Sequence, residues 1–158
     1  MDMQTMIETI IEIEWEMFQH TENMGGRASC QDDFETFYIM RGSQYANWTD
    51  EMRKCWLNFL KQSQAEGRNL VAEKYGRMMQ FTNLHHYNKH IKPFVPAVPQ
   101  SHYNMINTIV EAQIGWEKDF AANYPKLSRA GRPVTSEGDL NGFTSMETYS
   151  RGELQTYP

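Results

Sequence analysis

The apolar positions of this chain repeat with the period of an α-helix almost from its first residue. Met3, Met6, Ile7, Ile10, Ile11, Trp15, Met17 and Phe18 fall on one stripe, with Glu8, Glu12 and Glu16 opposite, so residues 4–20 are predicted to be an amphipathic helix. Glu14 interrupts the stripe: it is seven after Ile7, four after Ile10 and four before Phe18. Either it sits at the stripe edge and reaches water, or it points inward and needs a partner, because an unpaired buried carboxylate costs several kcal/mol.

Thr21 to Gly26 reads as a loop. Ser29 is the expected cap of the second helix, with Asp32 at its third position, close to a capping box. Asp32 and Asp33 in the first turn suit the positive helix end. Phe34, Phe37, Tyr38, Arg41, Gln44, Tyr45 and Trp48 then continue at helical spacing. A third helix starts at Thr49 or Asp50, with Met52, Cys55, Trp56, Phe59 and Leu60 as its apolar stripe and Gly67 as its stop. Residues 69–90 read as one long helix closed by Pro93, Pro96 and Pro99, and residues 101–121 as another, closed at Asn123-Tyr124-Pro125. From there a long loop is expected through Gly142, followed by a short helix around 144–153. No strand pattern of useful length occurs. The expectation is an all-α, single-domain bundle of about five main helices with an irregular C-terminal segment.

Two halves of the chain resemble each other. Met6-Ile7-Glu8-Thr9-Ile10-Ile11-Glu12 matches Met105-Ile106-Asn107-Thr108-Ile109-Val110-Glu111 at five of seven positions. In the same order, Trp15-Glu16 answers Trp116-Glu117, Gly26-Arg27 answers Gly131-Arg132, Glu35-Thr36-Phe37 answers Glu147-Thr148-Tyr149, and Arg41-Gly42 answers Arg151-Gly152. A duplicated helix–loop–helix follows, with units 4–66 and 101–158 joined by the helix 69–90 and the Pro-rich connector; shared cap and turn vocabulary is the competing explanation. Ungapped over the first helix pair, Glu14 falls opposite Gln113. The second unit has no equivalent of the helix at 50–66. Either that helix was lost, or the chain is shortened, or a partner subunit fills its place.

Composition narrows the functional classes. The chain has 158 residues, with 40% hydrophobic, 13% aromatic and a net charge of −5. That balance gives no electrostatic case for nucleic acid or an anionic membrane. No apolar run is long enough to span a bilayer, and the acidic, polar start is no signal peptide. Cys30 and Cys55 make no metal spacing and no disulfide framework, which places the protein in a reducing cytoplasm. Cys30 is expected to be a small core residue rather than a nucleophile.

The candidate chemistry is a set of charges beside aromatics. Clustered arginines form two-pronged contacts to carboxylate or phosphate. Arg27, Gln31, Arg41, Gln44, Arg132, Arg151 and Glu153 are therefore the candidate ligand-binding residues, and Asp32, Asp33, Glu73 and Tyr75 the proton-handling ones. The expected function is binding of a small polar or anionic metabolite, with acid–base chemistry on it, in a pocket between the two helical units. The alternative is a non-catalytic interaction or assembly protein, including a homo-oligomer, whose charges form structural ion pairs. His86 and His90, four apart, are the weak candidates for a metal in a helical metalloprotein, beside which no other cofactor is indicated.

These segments also resemble a known bacterial family. Trp15-Glu16-Met17-Phe18, the run Gly25 to Asp33, Met40-Arg41-Gly42-Ser43-Gln44-Tyr45 with Trp48, Glu73-Lys74-Tyr75 with Met78-Met79, and Thr148 to Leu154 with Thr156-Tyr157 are similar to the domain of unknown function numbered 4125. The resemblance implies a soluble bacterial protein and carries no activity. Its recurring residues fall here on Arg27, Cys30, Gln31, Asp32, Asp33, Arg41, Gln44, Glu73, Lys74, Tyr75, Arg151 and Glu153.

Overall fold

Asp2 starts the fold. Its carboxylate accepts the Thr5 N–H at 3.0 Å, and helix α1 (Met3–Gln19) follows. The computed structural model describes residues 1–141 and 143–158; among these there is no strand, so the all-α expectation holds. None of the described helices is long and apolar enough to cross a membrane. The chain divides into two compact units, residues 1–72 with Pro158, and residues 73–157.

In unit 1, α1 packs against α2 (Phe34–Ala46) and α3 (Asp50–Ala65). The second helix starts later than Ser29. Residues Ser29–Asp32 form a single 3-10 turn, and Asp33 is the true cap, accepting the Thr36 N–H at 3.0 Å. Thr49 caps α3, and Gly67, at φ +73°, ends it: Arg68 N–H returns to the Ser63 carbonyl at 2.8 Å, the hydrogen bond of a glycine-stopped helix. Met6, Ile7, Ile10, Ile11, Met17 and Phe18 of α1 are buried with Tyr45, Trp56, Leu57 and Leu60. Each fully buried side chain of this size contributes about 1.5–3 kcal/mol.

The buried face of α3 differs from the expected stripe. Met52 and Cys55 are exposed, while Arg53, Trp56, Leu57, Leu60 and Ser63 are buried. Arg53 explains the rotation. Its guanidinium donates to the carbonyls of Tyr45 (2.8 Å) and Trp48 at the end of α2, and to Asp50 at 2.6 Å. A side chain that satisfies open helix-end carbonyls is worth burying. Cys30, expected in the core, is also exposed.

The expected helix 69–90 is broken. Asn69 caps α4 (Leu70–Thr82) through the Ala72 N–H. Asn83 then stops the helix and restarts it as a short α5 (Leu84–His86), its side chain accepting the His86 N–H at 3.2 Å. Asparagine inside a helical pattern offers the backbone this competing bond. A wide π turn (Tyr87–Ile91) follows.

Unit 2 contains the rest of α4, α5, α6 (Gln100–Asn123), α7 (Pro125–Ser128), a 3-10 stretch at Ser136–Asn141 and α8 (Met146–Leu154). The long loop expected after Pro125 thus carries two short helical pieces; Gly142 lies outside the described residues. Ser145 caps α8, accepting the Thr148 N–H at 3.1 Å. Gly152 brings α8 against α4. A Cβ there would stand 2.6 Å from Met78 Cγ and 2.9 Å from the Lys74 carbonyl oxygen. That contact sets where residues 149 and 153 fall relative to Lys74.

Candidate functional site

In unit 1 the loop after α1 is stapled by two polar residues. Gln31 is buried, its amide nitrogen donating to the carbonyls of Phe18 (2.7 Å) and Thr21 (3.0 Å) while its oxygen accepts from Ala28 N–H and Asn23 Nδ2. Arg27 is half exposed. It donates to Asp32 Oδ1 through Nε (3.0 Å) and Nη2 (2.7 Å), and through Nη2 also to Gln19 Oε1 (2.6 Å). An open cleft of about 340 Å³ lies here, lined by Gln19, Glu22, Asn23, Arg27 and Gln31 among others. Asp33 is exposed, and the Thr36 N–H, then the Thr36 hydroxyl, hold its carboxyl below the usual aspartate range.

Arg41 lies deeper, on a partner that resolves the two readings of Glu14. Glu14 is 1% exposed. Arg41 meets it in two-pronged fashion, Nε to Oε2 at 2.8 Å and Nη2 to Oε1 at 2.7 Å. The Tyr45 hydroxyl and Trp56 Nε1 (3.0 Å) also donate to Oε1. Arg41 Nη1 donates to Gln44 Oε1 at 2.9 Å. Both carboxylate oxygens are thus satisfied, which is the condition for burying a charge.

Unit 2 holds a second buried polar cluster. Lys74 and Glu153 are both buried, with Nζ 2.9 Å from Oε2. The Tyr157 hydroxyl donates to the other oxygen of Glu153 at 2.7 Å. The Lys74 ammonium lies 4.3 Å from the centre of the Tyr149 ring. Tyr75 and Tyr149 meet edge to face at 6.3 Å. The Arg132 guanidinium sits 4.9 Å from the same ring centre while donating to the Thr144 carbonyl. Burial pushes the Tyr149 hydroxyl up, but the charge and hydrogen bond of Lys74 and the bond from Tyr75 outweigh it, and its pKa lies below that of an ordinary phenol. Tyr75 and Tyr149 are partly exposed.

The remaining candidates are placed as follows. Arg151 donates to Glu147 (3.1 Å) and Asn107 (2.7 Å). Burial raises the Glu147 carboxyl, yet the Ser136 N–H and Arg151 prevail and hold it low. Glu73 faces Arg77 at 3.9 Å. The rings of His86 and His90 are 4.7 Å apart, and no group of three His, Cys, Asp or Glu that could hold a metal occurs among the described residues.

The family known as "Protein of unknown function (DUF4125)" matches residues 4–158. The chain belongs to the DUF4125 family. No curated protein matches it, and no solved structure does. The family thus spans both clusters and names no chemistry for either.

Of the candidate residues, Tyr75, Arg132 and Glu153 come together in this DUF4125 chain, around Lys74 and Tyr149. Arg27, Gln31 and Asp32 form a second group, and Arg41 and Gln44 a third. Tyr149 and Glu14 were not among the candidates. Tyr149 had a signal: it is four residues before Glu153 on one helix face, and Lys74 precedes Tyr75 directly. Glu14 had one too, as a carboxylate inside an apolar stripe.

The cap spacing bears on the internal match. Asp33 to Thr36 and Ser145 to Thr148 are the same three-residue cap. Helices α2 and α8 run on without interruption from those caps. In that register Phe37 stands opposite Tyr149, Arg41 opposite Glu153 and Tyr45 opposite Tyr157. Matching Arg41 to Arg151 would remove two residues inside one helix, a rotation of about 200°, so those two arginines do not share a face.

Proposed function

We propose that this protein binds a small anionic or polar metabolite at the Lys74–Tyr149 cluster of unit 2 and moves a proton on it. The observation that carries this reading is the Tyr149 ring, set 4.3 Å from the Lys74 ammonium and edge to face with Tyr75 at 6.3 Å. A phenol in that setting ionises more readily and serves as an acid or base closer to neutral pH. In the forward direction the Tyr149 oxygen takes the proton, while Lys74 and Tyr75 steady the phenolate beforehand. Glu153 keeps Lys74 in place and balances its charge. Arg132, exposed and stacked on the same ring, supplies a fork for a carboxylate or phosphate. The exposed free thiols Cys30 and Cys55 suit work in a reducing cytoplasm.

The test is a thermal-shift screen with carboxylates, phosphate esters and amino acids. A ligand at one hundred times its Kd adds about 2.7 kcal/mol, which raises Tm by several degrees at this chain length. The shift is expected in the wild type and lost in Arg132→Ala and Tyr149→Phe. Equal shifts in both variants would place binding elsewhere. For unit 1 a second reading is favoured by a specific observation: Arg41 is already matched by Glu14 and Gln44. There the charges serve assembly of the helices rather than ligand capture.

A further inference from the structure

Helix α6 presents an apolar strip to solvent. Met105, Ile109, Trp116 and Phe120 lie at i, i+4, i+11 and i+15, on one side of the helix, and are 56%, 43%, 68% and 41% exposed. Ala112 and Gly115 lie on or beside the strip, and nothing stands within 4 Å of a Cβ built at Gly115. Fully buried residues of α6 stop at Val110.

The match with α1 shows what such a strip does when it is covered. In the ungapped register that sets Gln113 opposite Glu14, Met105, Ile109 and Trp116 stand opposite Met6, Ile10 and Met17, and those three are buried. In unit 1, α2 covers one side of α1, where Phe37 meets Trp15 and Phe18. Helix α3 covers the neighbouring side, where Trp56 donates to Glu14. In unit 2, α8 packs on α6 in the manner of α2, with Arg151 on Asn107. No described helix of unit 2 takes the place of α3. Gln113, opposite Glu14, has a buried Oε1 with no hydrogen-bond donor.

We propose that this strip is a self-association surface, closed by the same strip of a second copy of the chain. Area is the first argument. With Tyr124, 57% exposed and its ring 5.3 Å from that of Phe120, the exposed side chains amount to roughly 600 Å² per copy. Paired with itself the strip reaches about 1,200 Å², the lower end of the size of a specific interface; a polar partner would leave the apolar half unmatched. Charge is the second. Helical spacing puts Glu111 and Lys118 on the far side and Asp119 and Glu117 on the two flanks, where an antiparallel pairing about Gln113 keeps the copies of Glu117 about 12 Å apart along the axis. An antiparallel pairing centred near Gln113 holds the two copies of Asp119 about 18 Å apart along the axis, beyond the ~8–10 Å screening length. The small residues Ala112 and Gly115 then lie near the centre, where the helices come closest.

Sedimentation velocity of the full chain across the micromolar range tests this. The wild type is expected to pass from one to two copies as concentration rises. Ile109→Lys and Trp116→Lys are expected to abolish the dimer with helical content unchanged, while Ile39→Lys, equally exposed in unit 1, leaves it intact. If a lysine variant loses its circular dichroism signal, Trp116→Ala gives the reading, with dimer affinity weakened at least about tenfold, as for an interface hot spot. A wild type that stays monomeric overturns the proposal and assigns the strip to a helix from another polypeptide. A dimer indifferent to these substitutions overturns it equally.

Discussion

The carboxylate of Glu14 and the guanidinium of Arg41 face each other in the core of unit 1, joined at 2.8 and 2.7 Å through both pairs of atoms. Twenty-seven residues separate them in sequence, so the pair ties α1 to α2 directly. Arg41→Met leaves Glu14 buried without its counter-charge and is expected to cost about 3–5 kcal/mol. Adding Glu14→Leu is expected to restore much of that loss, because the uncompensated charge is then gone. Urea denaturation of both single variants and the double variant measures the coupling. Additive losses would mean that the pair does not act as a unit.

Two helical glycines should respond oppositely to alanine. Gly152→Ala drives a methyl group against Met78 and the Lys74 carbonyl and is expected to destabilise by about 1–3 kcal/mol. At Gly42 the nearest contact for the new methyl is Ile11 Cδ1, at an ordinary 3.7 Å. Gly42→Ala is expected to stabilise by about 0.5–1 kcal/mol through helix propensity. Thermal unfolding of the two variants checks the contrast.

Gln31 holds the loop to the end of α1 by four hydrogen bonds of its amide. Gln31→Leu strands buried carbonyls of Phe18 and Thr21, and the expected cost is about 2 kcal/mol or more. Limited proteolysis should then cut between Thr21 and Ala28 in the variant and spare the wild type.

The Glu147 carboxyl titrates below its ordinary value because Ser136 N–H and Arg151 stabilise the ionised form against burial. Its folded pKa is therefore lower than its unfolded one. The stabilisation is complete above the unfolded carboxylate pKa and is lost as pH falls through the folded value. Glu147→Gln is expected to flatten the acid limb of the stability profile, measured by denaturation at a series of pH values.

The helices were legible because their signals are local. Caps, glycine stops and the 3.6-residue period placed α1, α3, α6 and α8 to within a few residues. The misplaced features depend on other parts of the chain. Arg53 turns α3 because carbonyls at the end of α2 await a donor. Asn83 breaks the expected long helix because its side chain accepts the backbone N–H of His86, where period alone indicated continuation. The site followed the same rule. Arg27 pairs with Asp32 five residues away, but Glu14 meets Arg41 across 27 residues and Lys74 meets Glu153 across 79. No spacing rule links positions so far apart; the packing of α2 on α1 joins the first pair and that of α8 on α4 at Gly152 the second.

If Tyr149 is the phenol that transfers the proton, its own titration reveals it. Phenolate absorbance followed against pH should show one of the eight tyrosines ionising below the ordinary value of about 10. That step should vanish in Tyr149→Phe and move upward in Lys74→Met. Because the folded pKa is the lower one, the stability that Tyr149 adds should grow as pH rises through it. A low step that survives Tyr149→Phe, or eight tyrosines that all ionise at or above the ordinary value, would rule out that role for Tyr149.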